Sequence, residues 1–207
     1  MVTVDVPIMG ARLRDRRNGF TLPRWVGAAN LSGDLSSAHV ARDGVSAVSE
    51  HTRQAFDPDV TWSDVEALRQ RTRLPLVIKG ILDPRDAVRA VEAGADGVVV
   101  SNHGGRQLDA AVPSIQALPK IVEALSGTCS VLVDSGIRSG LDILRALGLG
   151  ADGVLIGRPV LWSLALDGEA GVRAALDLLT EELRDALVLS GCRTLADAAE
   201  LTTSLRS

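Results

Sequence analysis

Val98, Val99 and Val100 form an uninterrupted β-branched run, and no other feature restricts the fold as tightly. A strand with water on one face alternates apolar and polar residues. One that is apolar throughout is covered on both faces, as a parallel strand flanked by helices is. The run stops at once in SNHGGRQLD (101–109), where Ser101, Asn102, His103, Arg106, Gln107 and Asp109 crowd together and Gly104 and Gly105 let the backbone turn sharply or approach a ligand. A solvated surface turn is the bland reading of such a stretch. Its position favours a site, because α/β proteins build their sites at the C-terminal ends of buried parallel strands.

The neighbouring sequence repeats the same unit. Ser63 predicts the N-cap of a helix to about Arg71, LPLVIK (74–79) a strand, and Asp83-Pro84 the start of a helix that Gly94 closes. Strands over 96–101, 130–134 and 153–156 then alternate with helices over about 114–125 and 139–147. A short helix from about 159, a longer one over about 168–190 and a last one over about 194–203 follow. Alternation of this kind means parallel βα units with right-handed crossovers. Four units, preceded by a strand end in VTVDVPI (2–8), make about half of an eight-stranded α/β barrel.

Three stretches read as ordinary structure. Residues 21–59 are Gly/Ser/Ala-rich and predict a long, mobile, lid-like loop, in which His39 and His51 stand alone and are not metal ligands. Arg12, Arg14, Arg16 and Arg17, interleaved with Asp15, read as a solvated helix face. Gly148, Gly150 and Gly153 spell the dinucleotide fingerprint, but they end a helix and open a strand, the reverse of the order that fingerprint requires. With 46% apolar residues, 23% charged residues and a net charge of −4, the composition is that of a soluble domain without a nucleic-acid partner. No apolar run approaches the roughly 18–20 residues of a membrane helix. Cys129 and Cys192, far apart, predict reduced thiols in a cytoplasmic protein, and no metal site is expected.

The strand ends carry the chemistry. Lys79 closes a buried strand, where an unpaired ammonium would cost several kcal/mol, so it is paired or functional. Asp134 opens DSGIRSG (134–140), whose Gly136, Arg138 and Gly140 lead into a helix N-terminus suited to phosphate. Gly157 and Arg158 repeat the small-residue-plus-guanidinium pattern on the next strand. Barrels bind phosphate after their seventh and eighth strands, so these strands read as the seventh and eighth.

SNHGGRQ (101–107), KG (79–80), DSGIRSG (134–140) and IGRPVLW (156–162) closely resemble the FMN-dependent 2-hydroxy-acid oxidising family, which includes glycolate oxidase, lactate oxidase, lactate monooxygenase and mandelate dehydrogenase. The resemblance runs from Val2 to Leu201 and is weakest over 21–59. It implies a TIM (β/α)8 barrel of which residues 1–207 supply the C-terminal half, from the end of strand 4 through strand 8 and the C-terminal helices. It also implies FMN as cofactor and a small (S)-2-hydroxy acid as substrate, oxidised to the 2-oxo acid with oxygen or another acceptor taking the electrons. By the resemblance, His103 is the base, Asp5 orients it and stabilises its charged form, and Lys79 stabilises negative charge on the reduced flavin. Arg106 and Arg12 bind the substrate carboxylate, and Thr3 and Ser101 hydrogen-bond near the ring system. Asp134 holds the ribityl chain, and the stretch Ser135, Gly136, Ile137, Arg138, with Gly157 and Arg158, cradles the phosphate end.

Ser135 stands where the family usually has glycine, a change expected to be tolerated if its φ is negative. The family's strands 1–3, most of strand 4 and its active-site tyrosines have no counterpart, in keeping with the absence of tyrosine. A half-barrel exposes strand edges and apolar interior. The chain is therefore expected to be a fragment or split product completed by another copy or by the N-terminal half. The competing readings are a non-catalytic half-barrel that binds phosphate or FMN or self-associates, and another phosphate-binding barrel, which would leave SNHGGRQ unexplained.

Overall fold

Each strand lies beside its predecessor in the chain, which decides between the two common parallel architectures. The computed structural model describes residues 1–20, 57–201 and 203. Its sheet runs β1 (Val2–Thr3), β2 (Val77–Ile81), β3 (Gly97–Val100), β4 (Ser130–Val133) and β5 (Gly153–Val154), all parallel and in chain order. A doubly wound sheet reverses its order at a switch point; a (β/α)8 barrel wall does not. The described residues form such a wall in part. The long loop with His39 and His51 lies outside the described residues, apart from residues 57–59.

Strand register sorts the side chains. Val2, Ile78, Val98 and Val131 are cross-strand partners, as are Thr3, Lys79, Val99, Leu132 and Gly153. Because side chains alternate along a strand, these rows occupy opposite faces. Ile78, Val98, Val100, Val131 and Val133 join Leu118, Ile121 and Leu125 in the core beneath the helices. The Lys79 row faces the barrel interior, and the same alternation carries Asp5, Ser101 and Asp134 towards that interior at the C-terminal end.

Among the described residues the helices are α1 (Leu13–Arg17), α2 (Trp62–Arg71), α3 (Pro84–Glu92), α4 (Ser114–Leu125), α5 (Gly140–Gly148) and α6 (Arg158–Leu189), with α3 packed on α4 and α5 on α6. Thr61, not Ser63, caps α2: Asp64 accepts from the Thr61 amide at 2.8 Å and from its hydroxyl at 2.6 Å. The helices expected from 159 and over 168–190 join as α6, broken where Asp167 (φ −151°) and Gly168 (φ 52°, ψ −134°) leave helical geometry. The last expected helix reduces to a 3₁₀ turn, Ala196–Glu200. Among the described residues, no helix is long and apolar enough to cross a membrane.

The sequence Gly-Ala-Asp-Gly-Val occurs at 94–98 and again at 150–154, and both copies do one job. Asp96 accepts from the Leu76 amide at 2.6 Å and Asp152 from the Val131 amide at 2.7 Å, so each carboxylate pins its strand to the preceding one. Gly148 ends α5, Gly150 sits at φ 94° and Gly153 begins β5, which makes the apparent dinucleotide fingerprint a helix-to-strand turn.

Asp83 caps α3, accepting from the Arg85 amide at 2.8 Å, while the Arg85 guanidinium pairs with it at 2.7 Å. Hydrogen bonds from the Arg85 side chain and then its backbone hold the carboxyl pKa down to about 2, against an ordinary 3.8. A depressed carboxyl contributes stability above its unfolded pKa and loses it as pH falls through the folded value. Asp83→Asn is therefore expected to flatten the part of the acid transition between pH 4 and pH 2, read by circular dichroism during acid titration.

Candidate active site

The tips of β2, β3 and β4 converge because their register is shared. The Lys79 ammonium lies 2.7 Å from the Asp134 carboxylate and donates to the Ser101 hydroxyl at 2.7 Å. The lysine expected to need a partner has two. β2 continues past it to Ile81 through a register shift at Gly80, whose φ is 111°. Ser101 is fully buried and accepts from the His103 amide at 3.0 Å as well.

His103, Gly104 and Gly105 are all left-handed, with φ of 57°, 68° and 69°. The conformation costs a non-glycine residue such as His103 about 1–2 kcal/mol and persists only where its surroundings impose it. Here every amide of the turn is held. His103 donates to Ser101, Gly104 to the Ser135 hydroxyl at 2.8 Å, and Gly105 to the Asn102 side chain at 3.1 Å. The Gly104 carbonyl accepts from the Arg158 guanidinium at 3.1 Å.

The result aims the His103 ring at Asp5, with Nδ1 3.1 Å from Oδ1. The other oxygen of Asp5 is buried and has no hydrogen-bond partner among the described residues. Asp5 comes this close because residue 80 lacks a side chain: a Cβ there would stand 2.6 Å from the Asp5 Cβ and 2.9 Å from its amide. Gly80→Ala is expected to force Asp5 off His103 and to destabilise the chain by about 1–3 kcal/mol. Loss of the His103 ring's nuclear magnetic resonance signature in the parent position, with a lowered urea midpoint, would register both effects.

Two expectations are corrected at β4. Ser135 has φ 73°, not a negative value. Its hydroxyl offsets the strain by donating to Asp134 at 2.7 Å while accepting from Gly104. The N-terminus of α5 is not open to phosphate either. The amides of Arg138 and Ser139 donate to Asp142, and that of Gly140 donates to Glu182 at 2.8 Å. The N-terminus of α6 differs, because Gly157 supplies no capping side chain. Arg138, stacked 5.3 Å from the centroid of Trp162, and Arg158 are the guanidiniums at this end. Ile137 is buried beside the cavity, its carbonyl accepting from the Arg138 guanidinium at 2.7 Å.

A cavity of about 640 Å³ is lined, among the described residues, by four basic residues, Lys79, Arg106, Arg138 and Arg158, and one acidic residue, Asp134, together with His103. Such a surplus of cations suits an anionic ligand, and the size is that of a cofactor site. Arg106 also borders an adjoining cleft with Arg12. Burial first, then the neighbouring Arg106, lowers the Arg12 pKa against the opposing pull of Asp15, and its buried Nε has no partner among the described residues. A carboxylate bound in this cleft would offset the repulsion that Arg106 exerts on Arg12.

Thr3 sits beside Lys79 in the β1–β2 register but is exposed and does not line the cavity. Gln107, which carries no role of its own in the family resemblance, ties the segment bearing Asp5 to the histidine turn. It donates to the carbonyls of Ile8 at 2.8 Å and Asp5 at 3.3 Å, and accepts from Gly10 at 3.1 Å. Only its place inside SNHGGRQ could have signalled this.

The FMN-dependent dehydrogenase signature matches residues 1–204. The chain belongs to that family. It is 60% identical to a 4-hydroxymandelate oxidase from Amycolatopsis orientalis over 98% of its own length and 56% of that protein's. Against an L-lactate oxidase from Nostoc sp. the identity is 52%, over 95% of this chain and 54% of the relative. A crystal structure of mandelate oxidase with (S)-4-hydroxymandelic acid superposes with a TM-score of 0.91 at 60% identity, covering 98% of this chain and 57% of that one. The chain thus spans a little over half the length of these relatives.

The residues present fit the flavin mononucleotide on which the family depends. The cavity lining combines guanidiniums at the β4 and β5 tips, a donor set that suits a phosphate, with the Asp134 carboxylate and the Lys79 ammonium beside them.

Proposed function

We propose that a barrel built on these strands oxidises a small (S)-2-hydroxy acid to its 2-oxo acid. The observation that carries the reading is the pairing of His103 with Asp5 on the wall of the cavity that also holds Lys79 and its partner Asp134. With Nδ1 engaged by Asp5, the His103 Nε2 takes the proton that the substrate gives up, and Asp5 faces the imidazolium so formed. Bound FMN would supply the acceptor for the electron pair and for the second hydrogen that leaves the substrate carbon, and oxygen or another acceptor would later reoxidise it. Lys79 keeps a positive charge beside that electron sink, Arg106 and Arg12 clamp the substrate carboxylate, and Ser101 fixes both Lys79 and the His103 amide. Asp134 holds the ribityl hydroxyls, and the stretch Ser135, Gly136, Ile137, Arg138, with Gly157 and Arg158, cradles the phosphate end, with Thr3 near the ring edge. The relatives' printed activities on 4-hydroxymandelate and lactate support this substrate class.

In this reading the outer edges of β1 and β5, which have no strand partner among the described residues, are covered in the active barrel. A second copy of this chain, or strands such as the longer relatives contain, would cover them. The exposed Leu161, Trp162 and Leu166 of α6 support such association. Cys129 and Cys192 are free thiols, which suits a cytoplasmic, reducing setting.

The test is spectroscopic. The chain is mixed with FMN, separated from the excess, and exposed to lactate, glycolate or mandelate without oxygen, with its mass in solution measured in parallel. A yellow protein that one of these acids bleaches is expected. A yellow protein that none bleaches would mark a non-catalytic flavin binder, and a colourless one would remove the cofactor reading.

A further inference from the structure

Ser135 closes a ring of polar contacts that no contact made by His103 alone would require. Starting at the base, the His103 amide donates to Ser101, whose hydroxyl also receives the Lys79 ammonium. Lys79 pairs with one oxygen of Asp134, the other oxygen accepts from Ser135, and the Ser135 hydroxyl accepts in turn from the Gly104 amide. His103 and Gly104 are consecutive, so the ring returns to its origin. Ser135 is the link whose removal opens it.

The backbone makes the serine informative. At φ 73°, residue 135 occupies a conformation that glycine adopts without strain. A glycine would lie there more comfortably but would present no atom to the Gly104 amide. Gly104 would then keep only its carbonyl contact with Arg158. The turn it belongs to is itself left-handed through His103, so a loosened Gly104 frees the strained residue beside it.

We propose that Ser135 is a positioning residue, whose hydroxyl fixes the turn bearing His103 relative to the Lys79 ammonium so that the proton acceptor and the cation move as one unit. The functional half of this inference rests on the oxidation proposed above; the mechanical half does not.

Ser135→Ala and Ser135→Gly in the full chain separate the two. In the chain without FMN, amide hydrogen exchange at Gly104 is expected to accelerate about tenfold in both variants, while Gly105, held by Asn102, keeps its parental protection. At saturating FMN, the limiting rate of mandelate-driven bleaching is expected to fall about tenfold in both, with little change in the half-saturating mandelate concentration. Ser135→Gly carries the test if the alanine variant misfolds, because glycine relieves the backbone. Unchanged exchange at Gly104, or a Ser135→Gly protein that bleaches at the parental rate, would overturn the proposal. If no hydroxy acid bleaches the parent, the oxidation reading fails while the exchange result still decides whether the clamp exists.

Discussion

Replacing His103 is expected to slow hydroxy-acid-driven bleaching of the bound flavin by about 10²–10⁴-fold, the range a positioned general base supplies. The cofactor itself should remain, since the groups proposed to hold its phosphate come from β4, β5 and the turns after them. Two variants separate chemistry from architecture. His103→Ala removes the imidazole but leaves a non-glycine residue at φ 57°. His103→Asn also removes it and places there a residue that tolerates left-handed backbone. If the imidazole is what matters, both fall equally in anaerobic stopped-flow experiments. If the turn matters instead, asparagine recovers much of the rate. Parental rates in both would end the assignment of His103 as base.

The parts of this arrangement legible in the sequence are those governed by period and by strand-end position. The Val98–Val100 run implies a doubly covered parallel strand, the alternation around it puts Lys79, Ser101 and Asp134 at strand tips, and the observed register makes those tips neighbours. Helix α4 lies where the apolar spacing put it, at Ser114–Leu125. What could not be read is whatever depends on a backbone angle or on a partner far along the chain. The φ of Ser135 is invisible in the word DSGIRSG, because a serine replacing glycine is equally compatible with either sign until its hydroxyl is known to have two partners. Gln107 acts across about 100 positions on Ile8 and Gly10, and no local pattern encodes that reach. The final helix fails for the opposite reason. Residues 194–203 have helical composition, but Thr194 and Asp197 cap a tighter turn, and the chain leaves it at Leu201 in an extended conformation.

Gly140 shows how far a motif can mislead about its own glycine, and it carries the largest expected effect on stability. In DSGIRSG it reads as backbone kept small for a phosphate. Its amide is instead taken by Glu182, and a Cβ on it would collide with the backbone of α6 at Glu182 and Leu183. Main chain cannot swing aside as a side-chain end can, so α6 itself would have to move. Gly140→Ala is therefore expected to cost 3 kcal/mol or more, beyond the roughly 1–3 kcal/mol of ordinary overpacking, and to lower the urea midpoint in the absence of FMN. That condition discriminates between the two readings: a phosphate contact can affect stability only when phosphate is bound, whereas a helix–helix contact acts on the bare chain. The consequence also reaches the cavity, because the N-terminal end of α6 carries Gly157 and Arg158. A Gly140→Ala protein that melts like the parent without FMN but binds FMN poorly would restore the phosphate reading of Gly140. One already destabilised without FMN would place this glycine in the α5–α6 interface.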